Sequence, residues 1–180
     1  MANKDHPKLV ILKRLTALLE TITVANGFTH DLAGQVFRCR LTFGDNDPPL
    51  FVSINESPRP DFGLFTGNDL ARKEDWDLLI QGWRADDDGD LLYALLADVE
   101  MCLAKINLMG RGEQAPVPTF PDWYMLGMAT EGVVGVKVQP GVVRPAQAAP
   151  GQPVQKACFM LPVRVTYAFI QGGVETADTP

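Results

Sequence analysis

Hydrophobic residues recur at helical spacing in two long stretches of the chain. In the first, residues 7–26, the main apolar positions lie three or four residues apart and are Leu12, Leu15, Leu19 and Ile22. This spacing places them on one side of an amphipathic helix. We expect Asp5 and Pro7 to open the helix, since an Asp side chain accepts a free amide and Pro fits the first turn. The pair Asn26-Gly27 is typical of a left-handed helix end.

The second helical stretch, residues 90–108, follows the acidic run Asp86-Asp87-Asp88-Gly89-Asp90. Its predicted buried side consists of Leu92, Leu95, Leu96, Val99, Leu103 and Ile106. Carboxylates just before a helix accept its first amides and favour its positive end. A calcium loop of the EF-hand type needs oxygen ligands spread over about twelve residues, whereas apolar residues follow this run at once. Helix capping is therefore the preferred interpretation, and we expect no metal here.

Apolar and polar residues alternate with a period of two in other parts of the chain, which predicts strands. Over residues 35–43, one predicted face holds Phe37, Cys39, Leu41 and Phe43. Residues 44–49 carry strong turn chemistry, and a second alternation follows through Leu50, Val52 and Ile54. We therefore expect these two strands to form an antiparallel hairpin.

The alternation over residues 75–84 runs through Trp76, Leu78, Ile80 and Gly82. Because Leu79 and Trp83 make the second face apolar as well, this strand is expected in the interior of a sheet.

Two further strands are predicted towards the end of the sequence. The short one alternates through Val134, Val136 and Val138. The long one alternates through Phe159, Leu161, Val163, Val165, Tyr167 and Phe169. Because Pro162 lacks an amide donor, we expect the long strand to lie at a sheet edge or to bulge there.

These elements predict an α+β fold in which two amphipathic helices pack on a mainly antiparallel sheet, with long loops and an extended hairpin arm at residues 144–155. The length of 180 residues suits a single domain. We expect residues 7–170 to form the folded core and residues 171–180 to be a frayed tail.

Two irregular stretches, residues 56–74 and 110–131, combine prolines and glycines with apolar rings. Apolar side chains in such loops need a cover, which is either the same chain or a neighbour. The candidate interface residues in these stretches are Phe62, Leu64, Phe65, Phe120, Trp123 and Tyr124.

Composition restricts the class of partner. The chain is 46% hydrophobic and 21% charged, and its formal net charge is −6. Negative charge argues against a broad nucleic-acid footprint, because binding phosphates needs clustered Lys and Arg. The apolar runs are shorter than the roughly 20 residues of a membrane span, and the first residues do not resemble a signal peptide. We expect synthesis in the cytoplasm and no membrane partner.

Residues that carry chemistry are sparse and scattered. Both serines, Ser53 and Ser57, lie outside a Gly-x-Ser-x-Gly elbow. The histidines and the three cysteines lack zinc-type spacing, and we expect buried free thiols at Cys39, Cys102 and Cys158. Paired carboxylates remain open, since 22 acidic residues always offer some pair. The sequence therefore predicts no catalytic residue, no metal and no cofactor, and we expect a protein that is not an enzyme.

The order of elements resembles one family in particular. After the first helix and the hairpin come the strand Asp77-Leu78-Leu79-Ile80-Gln81-Gly82, the helix over residues 91–105 and the strand Phe159-Met160-Leu161-Pro162-Val163-Arg164-Val165-Thr166-Tyr167. Residues 8–169 are similar in this order to the tail terminator proteins of long-tailed bacteriophages, also called tail completion or minor tail proteins. The stretch 110–131 is longer than the simplest family members need.

The resemblance implies a structural protein of the virion, located at the tail and neck and assembled in the host cytoplasm. It implies a homo-oligomeric ring, a hexamer, that sits on the head-proximal end of the tail tube, ends tube polymerisation and provides the head-tail joining surface. Its implied partners are further copies of itself, the tail tube protein and a head-connector or neck protein. DNA would pass through the ring without specific binding.

Two alternatives stay open at this point. One is another ring component of the same machine, a neck or head-closure protein. The other belongs to a different class, a small enzyme that depends on scattered carboxylates. Mass in solution separates a monomeric enzyme from a ring, and electron microscopy of tail tubes separates a terminator from a neck protein.

Overall fold

The computed structural model describes residues 6–44, 46–56, 71–86, 88–107, 123–128, 132–147 and 156–170. The helices are α1, Pro7–Leu19, and α2, Gly89–Ala104. The strands are β1, Val36–Arg38; β2, Leu50–Glu56; β3, Ala71–Arg84; β4, Val133–Val138; β5, Val142–Arg144; and β6, Cys158–Ile170. This is the predicted α+β fold. Within the described ranges, neither helix has the length and hydropathy needed to span a membrane.

The predicted stripe of Leu12, Leu15, Leu19 and Ile22 is buried, but helix α1 ends earlier than predicted and Ile22 lies beyond it. Its last residue is Leu19, and a separate 3₁₀ turn, Val24–Asn26, follows. The run of β-branched residues 21–24 explains the early end, because such side chains lose rotamer freedom in a helix. Gly27 has a φ of 84° and ends the 3₁₀ turn, not the helix. At the start of α1, the side chain of His6 accepts a hydrogen bond from the Lys8 amide.

Helix α2 begins where the acidic run predicts. The Asp88 carboxylate accepts hydrogen bonds from the amides of Asp90 and Leu91, at 2.9 and 3.3 Å. Every apolar residue predicted for the buried side is buried: Leu92, Leu95, Leu96, Val99, Leu103 and Ile106.

Replacing Asp88 with Ala should lower the free energy of unfolding by about 0.5–2 kcal/mol, because two amides of the first turn lose their acceptor. Asp90 lies in that turn and contributes charge without capping an amide there, so Asp90→Ala should cost only about 0.3–1 kcal/mol through the helix dipole. Urea unfolding of both variants measures the difference. Equal losses would contradict the assignment of Asp88 as the cap.

The sheet has the order β1-β2-β3-β6-β4, and β5 also pairs with β6. All pairings are antiparallel except that of β1 with β2. The central pair runs from Ala71 opposite Ile170 to Trp83 opposite Cys158. Strand β3 therefore lies in the interior, as its two apolar faces predict.

The predicted hairpin of the first two strands is wrong. Strand β1 is short and pairs in parallel with β2, with Val36 opposite Val52. The chain leaves the strand direction at Cys39, whose φ is 62°. Residues 39–49 then return to the start of β2 and bring Phe43 onto Phe51, with ring centroids 5.6 Å apart. The alternation over residues 35–43 thus reflects contacts of this crossover and not one strand, and both Cys39 and Leu41 are exposed.

Strands β4 and β5 lie end to end along the same side of β6. Strand β6 is consequently interior, so the expectation of an edge at Pro162 is wrong. The amide of Gln139 donates to the carbonyl of Pro162 at 2.9 Å. The nitrogen and the carbonyl of a strand residue point to the same side, so the Pro162 nitrogen, which has no hydrogen to donate, faces the break between β4 and β5. There a proline interrupts no regular ladder.

Two smaller expectations about this region also need correction. Arg144 belongs to strand β5, so the predicted arm over residues 144–155 begins in a paired strand; residues 148–155 lie outside the described part. A register shift between Val133 and Gly135 turns Val134 outwards, where it is 49% exposed. Val133 and Val136 are the buried pair of β4.

Both described helices pack on one face of the sheet, which we call the helix face. Helix α2 contacts β3, β5 and β6, and α1 contacts α2 and β1. At the start of α1, the Lys8 ammonium lies 2.8 Å from the Glu74 carboxylate and 5.1 Å from the Trp76 ring centroid. The helix face of the sheet contributes Val52, Ile54, Trp76, Leu78, Ile80, Phe159, Leu161, Val163, Val165 and Tyr167 to the core.

Candidate interaction surface

The opposite side of the sheet, which we call the far face, carries a row of buried polar side chains. Ser53, Asn55 and Gln81 are 0%, 3% and 9% exposed. The Arg40 amide donates to the Ser53 hydroxyl at 3.0 Å, and the Asn55 amide group donates to the Gln81 oxygen at 2.9 Å. Burial of these groups costs little because each has a partner.

The bonds of this row run in one direction. The Arg40 amide donates to the Ser53 oxygen, and the Ser53 hydroxyl donates to Asn55 Oδ1, 3.3 Å away. Asn55 then donates through its nitrogen to Gln81 Oε1. The last group of the row is the NH₂ of Gln81, which has two hydrogens to donate.

Aromatic rings cover the neighbouring part of the far face. The Phe51 ring is fully buried and lies 5.0 Å from Trp83 and 5.5 Å from Phe37, measured between centroids. The guanidinium of Arg40 stacks 4.0 Å from the Phe37 ring centroid and pairs with the Asp47 carboxylate. These contacts hold the crossover of residues 39–49 against the sheet.

A pocket of about 510 Å³ opens on the far face between this crossover and the start of β6. Its floor comes from β3 and β6, and its walls from the crossover and from the residues that follow β5. The lining residues are Leu41, Thr42, Phe43, Gln81, Trp83, Arg144, Pro145, Gln147, Lys156, Cys158 and Met160. We refer to it as the far-face pocket. Its volume falls in the range of ligand sites in proteins.

The charge of the far-face pocket opposes that of the whole chain. Arg144 and Lys156 line it, and none of the residues described as lining it is acidic. The Lys156 ammonium lies 3.3 Å from the carbonyl of Ala85 and 6.0 Å from the Phe43 ring centroid. On a chain of net charge −6, this is a local concentration of positive charge beside aromatic rings.

A second depression, of about 370 Å³, lies farther along the far face. Its charged residues are paired: Arg164 donates to both oxygens of Asp77, at 2.7 and 2.9 Å. Nearby, the Thr166 hydroxyl donates to Asp75 at 2.5 Å. Because these donors and acceptors satisfy each other, the depression offers less to a ligand than the far-face pocket does.

The thiols are not activated for nucleophilic chemistry. Burial raises the pKa of Cys158, and the positive charge of Arg144 offsets this only in part. Burial likewise raises the pKa of Cys102, whose thiol donates to the Leu18 carbonyl at 3.3 Å. Since the thiolate is the nucleophile, a raised pKa lowers the reactivity of both groups at neutral pH. All three cysteines are free, as predicted, but Cys39 is exposed, so the expected burial is wrong for this residue.

We expect the three thiols to react with a disulfide reagent such as DTNB at clearly different rates at neutral pH. Cys39 is exposed and should react first, Cys158 should follow slowly, and buried Cys102 should react only on unfolding. Stopped-flow absorbance with mass spectrometry of the products assigns each phase, and Cys39→Ser should remove the fast one. Modification of Cys102 in the native protein at the rate of Cys39 would contradict the burial.

A buried ionisable pair joins α2 to the loop that follows α1. Asp98 Oδ2 accepts hydrogen bonds from the amides of Thr29 and His30, at 3.0 and 2.9 Å, and lies 2.8 Å from His30 Nδ1. Asp98 and His30 are 4% and 8% exposed. Sequence reasoning missed this pair, although Asp98 lies on the apolar side of α2, where an acid needs a partner. Within the described part of the chain, no group of three His, Cys, Asp or Glu could hold a metal ion.

The candidate interface residues from the sequence are mostly outside the described ranges. Phe62, Leu64, Phe65 and Phe120 lie in segments 57–70 and 108–122, and of Tyr124 only the backbone is described. Trp123 is described, and its ring is 8% exposed within the core of the same chain. Trp123 is therefore covered by its own domain, so Trp123 is no longer a candidate interface residue.

A comparison with protein-family models finds no matching family, and a comparison with curated proteins finds no significant match.

Proposed function

We propose that this chain is a structural protein of a long-tailed bacteriophage, a tail terminator that forms a ring on the head-proximal end of the tail tube. In this role it ends tube polymerisation, offers the joining surface for a head-connector or neck protein, and lets DNA pass without specific binding. The proposal rests on the order of elements that resembles this family. The second candidate is a neck or head-closure ring of the same machine.

One observation supports the proposal most. Two helices pack on a single face of a mainly antiparallel sheet, which is the architecture that the resemblance implies. The far face carries a pocket, an exposed Leu41 and paired charges, features that suit contact with another protein. Burial raises the pKa of Cys102 and of Cys158, which favours an assembly role over thiol catalysis by these two groups.

Native mass spectrometry of the full chain tests the ring directly. We expect a hexamer of the 19.7 kDa chain and, on mixing with tail tube protein, tubes that stop growing and carry the ring at one end. A monomer that leaves tube length unchanged would contradict the proposal. A ring seen by electron microscopy only on the connector side would favour the neck protein instead.

The predicted loop over residues 56–74 carries Phe62 and Phe65 and is the proposed contact between subunits, although its ends belong to strands: Glu56 closes β2, and residues 71–74 open β3. Replacing Phe62 and Phe65 together with Ala should dissociate the ring while leaving the thermal transition nearly unchanged, because interface energy concentrates in a few aromatic anchors. Tyr93→Ala is the matched control, since this ring on α2 is 58% exposed. Normal rings from the double variant would exclude the loop as the contact.

A further inference from the structure

The far-face pocket presents hydrogen-bond donors to whatever enters it. The row from the Arg40 amide through Ser53 and Asn55 ends on the Gln81 oxygen, so the NH₂ group of Gln81 is not used within the row and can donate to a further partner. Each bond in such a row polarises the next, which strengthens the final donor.

Two cationic side chains stand beside that donor. Both line the pocket: Arg144 is exposed, and the Lys156 ammonium also donates to the Ala85 carbonyl. Arg and Lys donate without accepting, so the polar part of the site combines positive charge with N–H groups. An anionic oxygen pair, such as a carboxylate, satisfies this arrangement and gains charge-assisted hydrogen bonds.

Apolar surface accompanies the charge. Phe43 and Met160 are partly exposed in the lining, and Leu41 is 70% exposed at the rim. A bare inorganic anion would leave these side chains in water, whereas a ligand with an apolar body next to its carboxylate would cover them. A peptide segment that carries an acidic and an apolar side chain next to each other meets both requirements.

We propose that the far-face pocket binds an acidic, partly apolar segment of a partner protein, with a carboxylate at Gln81, Arg144 and Lys156 and an apolar side chain against Phe43 and Met160. The complementarity of charge between this pocket and an acidic segment carries the inference. It does not depend on the proposed tail function, because the pocket is built entirely from residues of one chain.

Peptide titration of the full chain tests the proposal. The probe is the peptide Gly-Phe-Glu-Leu-Glu-Gly, and its matched control carries Gln in place of both Glu. Emission of Trp83 reports binding, because Trp83 lines the pocket while Trp76 and Trp123 lie in the core. We expect the Glu peptide to bind at least about tenfold more tightly than the Gln peptide, because the control lacks the charge-assisted contact. The affinity of the Glu peptide should fall as the salt concentration rises.

Three variants sharpen the result. Arg144→Gln should weaken the Glu peptide about tenfold, whereas Lys137→Gln, the same charge change at an exposed site outside the lining, should leave it unchanged. Gln81→Glu keeps an acceptor for Asn55 but replaces the donor by an acceptor, and it should abolish binding. If Gln81→Glu fails to fold, the double variant Arg144→Gln with Lys156→Gln tests the same proposal, because it removes both positive charges from the pocket lining and should abolish binding.

Three outcomes would overturn the proposal. The first is equal affinity, or no affinity at millimolar concentration, for the Glu and Gln peptides. The second is an equal loss from Arg144→Gln and Lys137→Gln, which would show only a general effect of charge. The third is binding of phenylacetate as tight as that of the Glu peptide, which would make the pocket a small-molecule site.

Discussion

Replacing Asp98 with Ala should destabilise the protein by about 3–5 kcal/mol, because several hydrogen-bond donors lose their shared acceptor. The substitution removes the acceptor of two backbone amides and of His30 at once. Each buried donor left without a partner costs about 1–3 kcal/mol. Asp98 and His30 are 4% and 8% exposed, so water compensates little there, although Thr29 itself is exposed. Urea unfolding followed by circular dichroism measures the loss.

Two other variants isolate the cause of that loss. Asp98→Asn keeps one acceptor oxygen for the amides of Thr29 and His30 and should lie between wild type and Ala. Glu100→Ala removes an exposed acid from the same helix and should change stability by less than about 0.5 kcal/mol. A similar cost for Asp98→Ala and Glu100→Ala would show that the Asp98 contacts contribute nothing.

The second large effect is expected at Gly82. A Cβ atom there would lie 2.1 Å from Cε1 of Phe159, whose ring is fully buried across strand β3. Gly82→Ala should therefore lower the free energy of unfolding by about 1–3 kcal/mol through overpacking. Thermal and urea unfolding give the value. Gly89→Ala is the control, because a Cβ at Gly89 meets no atom within 4 Å.

A double-mutant cycle links the loss to the ring. Phe159→Leu shortens the side chain that meets the new Cβ, so the double variant with Gly82→Ala should be destabilised by less than the sum of the two single changes. Strict additivity would mean that the strain lies elsewhere in the strand.

The elements that depend on near neighbours were predictable from the sequence. The buried side of α2 and the alternation of β6 follow from spacing alone, because each residue's environment is set by residues a few positions away. The Asp88 cap belongs to the same class, since donor and acceptor lie two or three residues apart. The end of α1 was missed because its apolar spacing continues to Ile22 after the helical hydrogen bonds have stopped.

Features that depend on distant residues were not predictable. The parallel pairing of β1 needs a crossover, in which Phe43 stacks on Phe51. The turn residues at positions 44–49 favoured a hairpin instead. Asp98 meets His30 across 68 residues. The far-face pocket combines side chains from β3, the crossover and the start of β6, so no single segment of sequence indicates it.

The place of β6 in the sheet has a consequence for synthesis on the ribosome. Its partner β3 ends at residue 84, whereas β6 begins at residue 158, so the chain between them must emerge before the central pair can form. At roughly 5–20 residues per second of synthesis, the edge of β3 that pairs with β6 stays unpaired for several seconds or more. Unpaired strand edges attract other chains. Slower translation over this interval should therefore increase aggregation of the nascent protein, and chaperones that cover β3 should relieve it.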